Sequence, residues 1–189
     1  MGASRDIMSG LANKQAAGMM RHSTWADWMW LADMRGFALL QEQRFRDESE
    51  DMREIRRWCI VELGEIPWNA YVETDYSMPP EYQDLGENQR ASLEDSVAQE
   101  DVRTVMNDWC RWEREVHDAY DEALEELEDP LCIQKVSDMM STQARELEIA
   151  EGLRSKLEQV CYDMEALREV QGELADIYGK ESRYGRDHD

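Results

Sequence analysis

The chain of 189 residues carries 43 Asp and Glu against 21 Lys and Arg, a formal charge of −22 at pH 7, and 42% of its residues are apolar. Length and apolar content suit one domain with an ordinary core, but the charge makes the folded surface repel itself, so compactness has to come from apolar burial. The same charge argues against nucleic acid, whose phosphates are bound by Lys and Arg that release counterions, and against an anionic membrane face.

Helical periodicity opens the chain, and the whole is expected to form a single all-α domain, an elongated helical bundle spanning 1–189. The first helical region covers 1–63, with the apolar pattern established from about Met8 and a break near Arg21 to Thr24. Thr24 can cap a new start there, since its hydroxyl can accept a backbone N–H and Asp27 lies in the first turn. Beyond it Trp30, Met34, Phe37 and Phe45 share a face, interrupted by the polar Gln41, and Met52, Ile55 and Cys59 continue the stripe. Trp25, Trp28, Ala32 and Leu39 form a second strip on the opposite side, which places this helix between two partners.

Residues 64–90 break the pattern with Pro67, Pro79, Pro80, Gly64 and Gly86, because proline removes backbone donors and fixes the chain in extended or turn conformations. A connection of about 25 residues is uncommon inside a compact domain and tends to be functional or packed against the body. Its rings, Trp68, Tyr71, Tyr76 and Tyr82, favour packing and make it a candidate partner-binding segment.

The helical signal returns over 91–129, with Ser92 and Asp95 as a start. Val102, Val105, Trp109, Trp112, Val116, Ala119 and Ala123 advance by alternating steps of three and four, the seam of a bundle, so both tryptophans are expected in the core. Asp121, Glu122, Glu125, Glu126, Glu128 and Asp129 then form a dense acidic run before Pro130. It reads as a solvated face, or as an acidic docking surface for a basic protein. A long helix over 131–178 follows, from Leu131 to Tyr178, whose stripe rotates because extra three-residue steps interrupt the alternation. Different stretches of it should touch different partners, within the chain or between copies. Gly179 ends it, and 179–189 reads as a loose polar tail.

Cys59, Cys110, Cys132 and Cys161 lie far apart, each in an apolar helical stretch, and read as buried free thiols of a reducing compartment, while the even count also allows a pair of disulfides between helices. Arg5, Asp6 and Lys14 break any secretory apolar run, and Asp27, Asp33 and Arg35 break the most apolar stretch, so the expectation is an intracellular or particle-borne protein without a membrane span. A di-iron site would need Glu-x-x-His pairs on facing helices, and Arg114 stands three residues before His117. Glu113, His117 and Asp121 are one turn apart and could hold a cation weakly. No nucleophile with base and orienting group, and no glycine-rich phosphate loop, is evident. The expected catalytic, cofactor-binding and metal residues are therefore none.

The opening stretch Ser9-Gly10-Leu11-Ala12-Asn13-Lys14-Gln15-Ala16-Ala17-Gly18-Met19, running into a long polar helix, loosely resembles the internal virion, or ejection, proteins of short-tailed phages. The resemblance implies a helical structural protein that associates within a particle. The leading expectation is accordingly a non-catalytic structural or assembly protein, binding itself or protein partners. The alternatives are an acidic inhibitor that imitates nucleic acid in a basic groove, and a carboxylate metal-binding four-helix protein.

Overall fold

A computed structural model of the chain describes residues 2–65, 67 and 95–179, and every element in them is helical. Helix α1 runs Gly2–Leu31 and α2 runs Arg35–Trp58, closing in a single π-helical turn, Cys59–Leu63. Helix α3 covers Asp95–Glu126, α4 Pro130–Gln159 and α5 Met164–Tyr178. Helices α1 and α2 pack as one hairpin and α3 and α4 as another, α3 lies on α1, and α5 returns to lie on α2. Two side-chain pairs draw α4 toward α2, Lys135 to Glu54 and Arg44 to Glu146. The chain is thus an all-α bundle, with no strand among the described residues.

The first break comes later than the sequence indicates. Helix α1 passes through Arg21 to Thr24 without interruption, and the Thr24 hydroxyl donates back to the Met20 carbonyl at 3.1 Å instead of capping. The turn falls at Ala32 to Met34, where Asp33 takes a left-handed φ of 56°. The Met34 N–H bonds the Met29 carbonyl at 2.9 Å and the Asp33 N–H bonds that of Trp30 at 3.3 Å. This paired closure satisfies the last carbonyls of a helix, normally with glycine at the left-handed position and here with aspartate, a residue that tolerates it. Each of the two strips is therefore divided between helices, with Trp25, Trp28 and Trp30 on α1 and Phe37, Leu39 and Phe45 on α2.

The single long last helix is likewise two helices. Cys161 and Tyr162 both adopt positive φ, 52° and 55°. The same closure recurs, from the Tyr162 N–H to the Leu157 carbonyl and from the Cys161 N–H to that of Glu158, both 3.0 Å. Asp163 then caps α5 by accepting the Glu165 and Ala166 N–H groups. This places Cys161 in an exposed turn, whereas Cys59, Cys110 and Cys132 are buried free thiols as expected. Asp129 caps α4 in the same way, accepting from Leu131 and Cys132 ahead of Pro130 at the first turn.

The core joins Met8, Trp25 and Met29 of α1 to Phe37, Leu40 and Ile55 of α2 and to Val102, Trp109, Val116 and Tyr120 of α3. Trp109 and Trp112 are 0% and 3% exposed, so the seam of α3 faces the interior. Gly36 allows α2 to touch α5 backbone to backbone: a Cβ there would overlap the Gln171 carbonyl group. Trp68, Tyr71, Tyr76 and Tyr82, the start near Ser92 and the tail beyond Gly179 lie outside the described residues.

Two substitutions test this packing. Trp109→Ala, which empties a fully buried site, is expected to cost about 3–5 kcal/mol of stability. Gly36→Ala, which forces α2 and α5 apart, should cost about 1–3 kcal/mol. Urea titrations followed by circular dichroism measure both, and unchanged midpoints would contradict the packing described.

Candidate functional site

At the centre of the bundle a histidine and two glutamates meet, all three buried. His22 comes from α1, Glu48 from α2 and Glu113 from α3, and they are 0%, 4% and 1% exposed. Helical spacing supplies their surroundings, since residues three, four or seven apart share a face. Gly18 lies one turn before His22, Arg44 and Gln41 lie one and two turns before Glu48, and Trp109 lies one turn before Glu113. Gln143 and Glu146 reach in from α4.

The His22 Nδ1 stands 2.7 Å from the Gln41 side-chain oxygen. Nδ1 therefore carries the proton and donates it, which leaves Nε2 with a lone pair. That lone pair faces Glu48 Oε1 and Glu113 Oε1, each 3.8 Å away. One ligand atom from each of the three residues falls within 4.8 Å of the others. The Trp25 and Trp109 rings meet the imidazole edge to face, at centroid distances of 5.0 and 6.3 Å.

Glu113 is fixed from two sides. The Trp109 indole N–H donates to one carboxylate oxygen and the Gln143 amide N–H to the other, both at 2.5 Å. Glu48 is pressed against the backbone of α1, where the missing side chain of Gly18 makes room for it. A Cβ on that glycine would stand 2.6 Å from Glu48 Oε1 and 2.9 Å from the Trp112 indole nitrogen. Lys14 and Arg21 of α1 lie over the Trp112 ring, 4.9 and 4.5 Å from its centroid.

Desolvation dominates the proton equilibria. Burial pushes the His22 imidazole down to about 3, against a smaller opposing effect of the Gln41 hydrogen bond. Burial, and then the neighbouring Glu113 charge, raise Glu48 well above the carboxylate range. Burial raises Glu113 as well, against its two hydrogen bonds. Glu146 is pushed up to about 8 by burial and by Glu113, although Arg44 binds it at 3.0 Å. Asp51, on the same side of α2, is pushed up to about 6 by burial and by Glu54.

The trio anticipated on α3 does not assemble. Glu113 points inward to His22, His117 is half-buried with its ring 3.8 Å from Asp118, and Asp121 is exposed. Successive turns of one helix diverge here because α3 buries only one stripe. Of the acidic run, Asp121, Glu122, Glu125, Glu126 and Glu128 are exposed, while Asp129 is spent as the cap of α4. The residues missed from sequence are His22 and Glu48. Gln41 was the available signal: a polar residue inside an apolar stripe needs a buried partner, and that partner is His22.

A scan of protein families finds no match to this chain, and a search of curated proteins finds none either.

The buried groups set a pH dependence whose sign follows from linkage. His22, at about 3 against an ordinary 6.5, adds stability as pH rises through that interval. Glu146, at about 8 against an ordinary 4.5, withdraws stability as pH rises between those values, because the unfolded chain releases the proton first. Above 6.5 the imidazole contribution is complete while Glu146 still titrates, so unfolding free energy should fall from pH 6.5 to about 8. Urea titrations across that window measure the slope, and Glu146→Gln should flatten it. A stability that rises through the window would contradict this electrostatic account.

Proposed function

We propose that the chain is a non-catalytic helical structural protein that associates with further copies of itself in a larger assembly. The resemblance of residues 9–19 to internal virion proteins suggests a virus particle as that assembly. The observation that carries the reading is a strip on the outer face of α4 where exposed apolar residues recur among charged ones. Leu131 and Ile149 of α4 and Val160 at its C-cap are exposed and share this strip, with the exposed Asp138, Thr142, Arg145 and Lys156 between them. Apolar residues left outside the chain's own core, set among charges of both signs, offer contact points to a second copy.

A non-catalytic role is also supported by the enclosure of the central residues, since His22, Glu48 and Glu113 are too deeply buried to meet a substrate. A cleft of about 240 Å³ between α1 and α2 is lined by Ser23, Ala26, Glu42, Phe45 and Arg46. Its two ionisable groups pair with each other at 3.7 Å.

One observation favours a second reading, an acidic surface that docks a basic protein. Asp121, Glu122, Glu125 and Glu126 crowd the C-terminal end of α3, which has no basic residue in its last turn. Negative charge there opposes the helix dipole, so these residues cost stability and call for a compensating partner.

Salt separates the two readings. Copies that each carry −22 repel, and screening reduces that repulsion. Self-association through the α4 strip should therefore strengthen as salt is raised, whereas attraction to a basic protein should weaken. Sedimentation velocity at micromolar concentrations is expected to show species above the 22.2 kDa monomer. Ile149→Asp should return them toward monomer with the helical spectrum intact. A monomer at every salt concentration would defeat the self-assembly reading.

A further inference from the structure

We infer that His22, Glu48 and Glu113 form a binding site for one divalent transition-metal ion of the zinc, manganese or ferrous type, held in the core between α1, α2 and α3. The inference is independent of the self-assembly reading and rests on three observations about the centre.

The first is hydrogen-bond accounting. His22 Nε2 and Glu48 Oε2 have no hydrogen-bond partner among the described residues, although both are buried. A buried acceptor left without a donor costs about 1–3 kcal/mol. Nε2 and the nearest carboxylate oxygens are 3.8 Å apart, too far for hydrogen bonds. Two ligands of one ion can stand up to twice a bond length of ~2.0–2.2 Å apart. The imidazole-to-carboxylate spacings therefore fit a shared ion and fit no direct contact.

The second is the order of the surrounding residues. Metal-binding imidazoles donate their other ring N–H to a fixed oxygen, and metal-binding carboxylates are themselves hydrogen-bonded. Gln41 holds His22 in this way, and Trp109 and Gln143 hold Glu113. Gly18 supplies the space in which Glu48 turns toward the imidazole. The third is charge. Arg44, a cation that acts on both His22 and Glu113, is engaged by Glu146 at 3.0 Å and Asp47 at 3.3 Å, which leaves the two glutamates beside a neutral ring.

The donor set selects the ion. One imidazole nitrogen with two carboxylate oxygens suits zinc, manganese and ferrous iron, whereas magnesium and calcium prefer oxygen alone. With three helices each providing one ligand, binding is coupled to folding and should be strongest when metal is present as the chain folds.

The experiment uses the full chain, unfolded with chelator, refolded with zinc, manganese or, without oxygen, ferrous iron, then desalted and analysed for metal and for melting temperature. One ion per chain with a raised melting temperature is expected for at least one of the three, and magnesium should give neither. Glu48→Gln and His22→Gln should each lower the affinity at least 100-fold, beyond the ~10–100-fold typical of groups that only orient ligands. Glu48→Gln is the informative variant because its amide matches a protonated carboxyl in shape, so the metal-free fold survives. A double variant of the exposed run, Glu125→Gln with Glu126→Gln, should bind as the native chain does. The inference is overturned if the folded native chain retains no stoichiometric ion under any of these conditions. It is equally overturned if Glu48→Gln and His22→Gln retain the ion as well as the native chain.

Discussion

Taking carboxylates out of water is the constraint around which this bundle is organised. The cost is several kcal/mol per ion after relaxation, and it is relieved by proton uptake, by hydrogen bonds or by a cation. Each of the first four helices contributes to that relief. Gln41 orients the imidazole of α1, Trp109 and Gln143 hold Glu113 from α3 and α4, and Arg44 of α2 reaches Glu146 of α4. A shift of any one helix by a turn would strand a partner. The polar centre therefore fixes which stripe of each helix faces inward, in a core whose pliable methionines and leucines would tolerate other registers.

The surface follows a different logic from the core. Most cations that are present are drawn to short-range ion pairs, Arg103 with Glu100, Arg111 with Asp108, Lys156 with Glu173 and Arg168 with Asp95. Exposed pairs of this kind contribute little each. They nevertheless leave the excess of carboxylate concentrated rather than evenly spread, and the end of α3 is the clearest case. The fold tolerates this because apolar burial along the α1, α2 and α3 seams is extensive enough to outweigh the repulsion.

Much of the architecture was legible in the residues. The alternation of three and four from Val102 to Ala123 located the buried face of α3, and Pro130 with Asp129 marked the start of α4. The two breaks at Asp33 and at Cys161–Tyr162 were hidden because both close with left-handed residues that are not glycine, so no local punctuation announces them. The rotating stripe after Met140 was the physical trace of the second break: a pattern that no single straight helix could bury was shared by two. The centre was less legible still. His22 and Glu113 are far apart in sequence and meet only through the packing of α1 on α3, and an acidic composition makes Glu48 indistinguishable from its many surface counterparts. Residues 68–94, which carried the proposed aromatic contact segment, lie outside the described part of the chain.

The turn between α4 and α5 also divides the chemistry of the four sulfurs. Thiol reactivity follows the thiolate fraction and access to solvent. Burial pushes Cys59 and Cys110 up to about 11 and raises Cys132, so these three are inert by both criteria. Cys161 alone among them is exposed, on a left-handed residue of a tight connection. The folded chain thus presents one alkylatable sulfur, and a probe attached there would sit at the connection between two helices without touching the core.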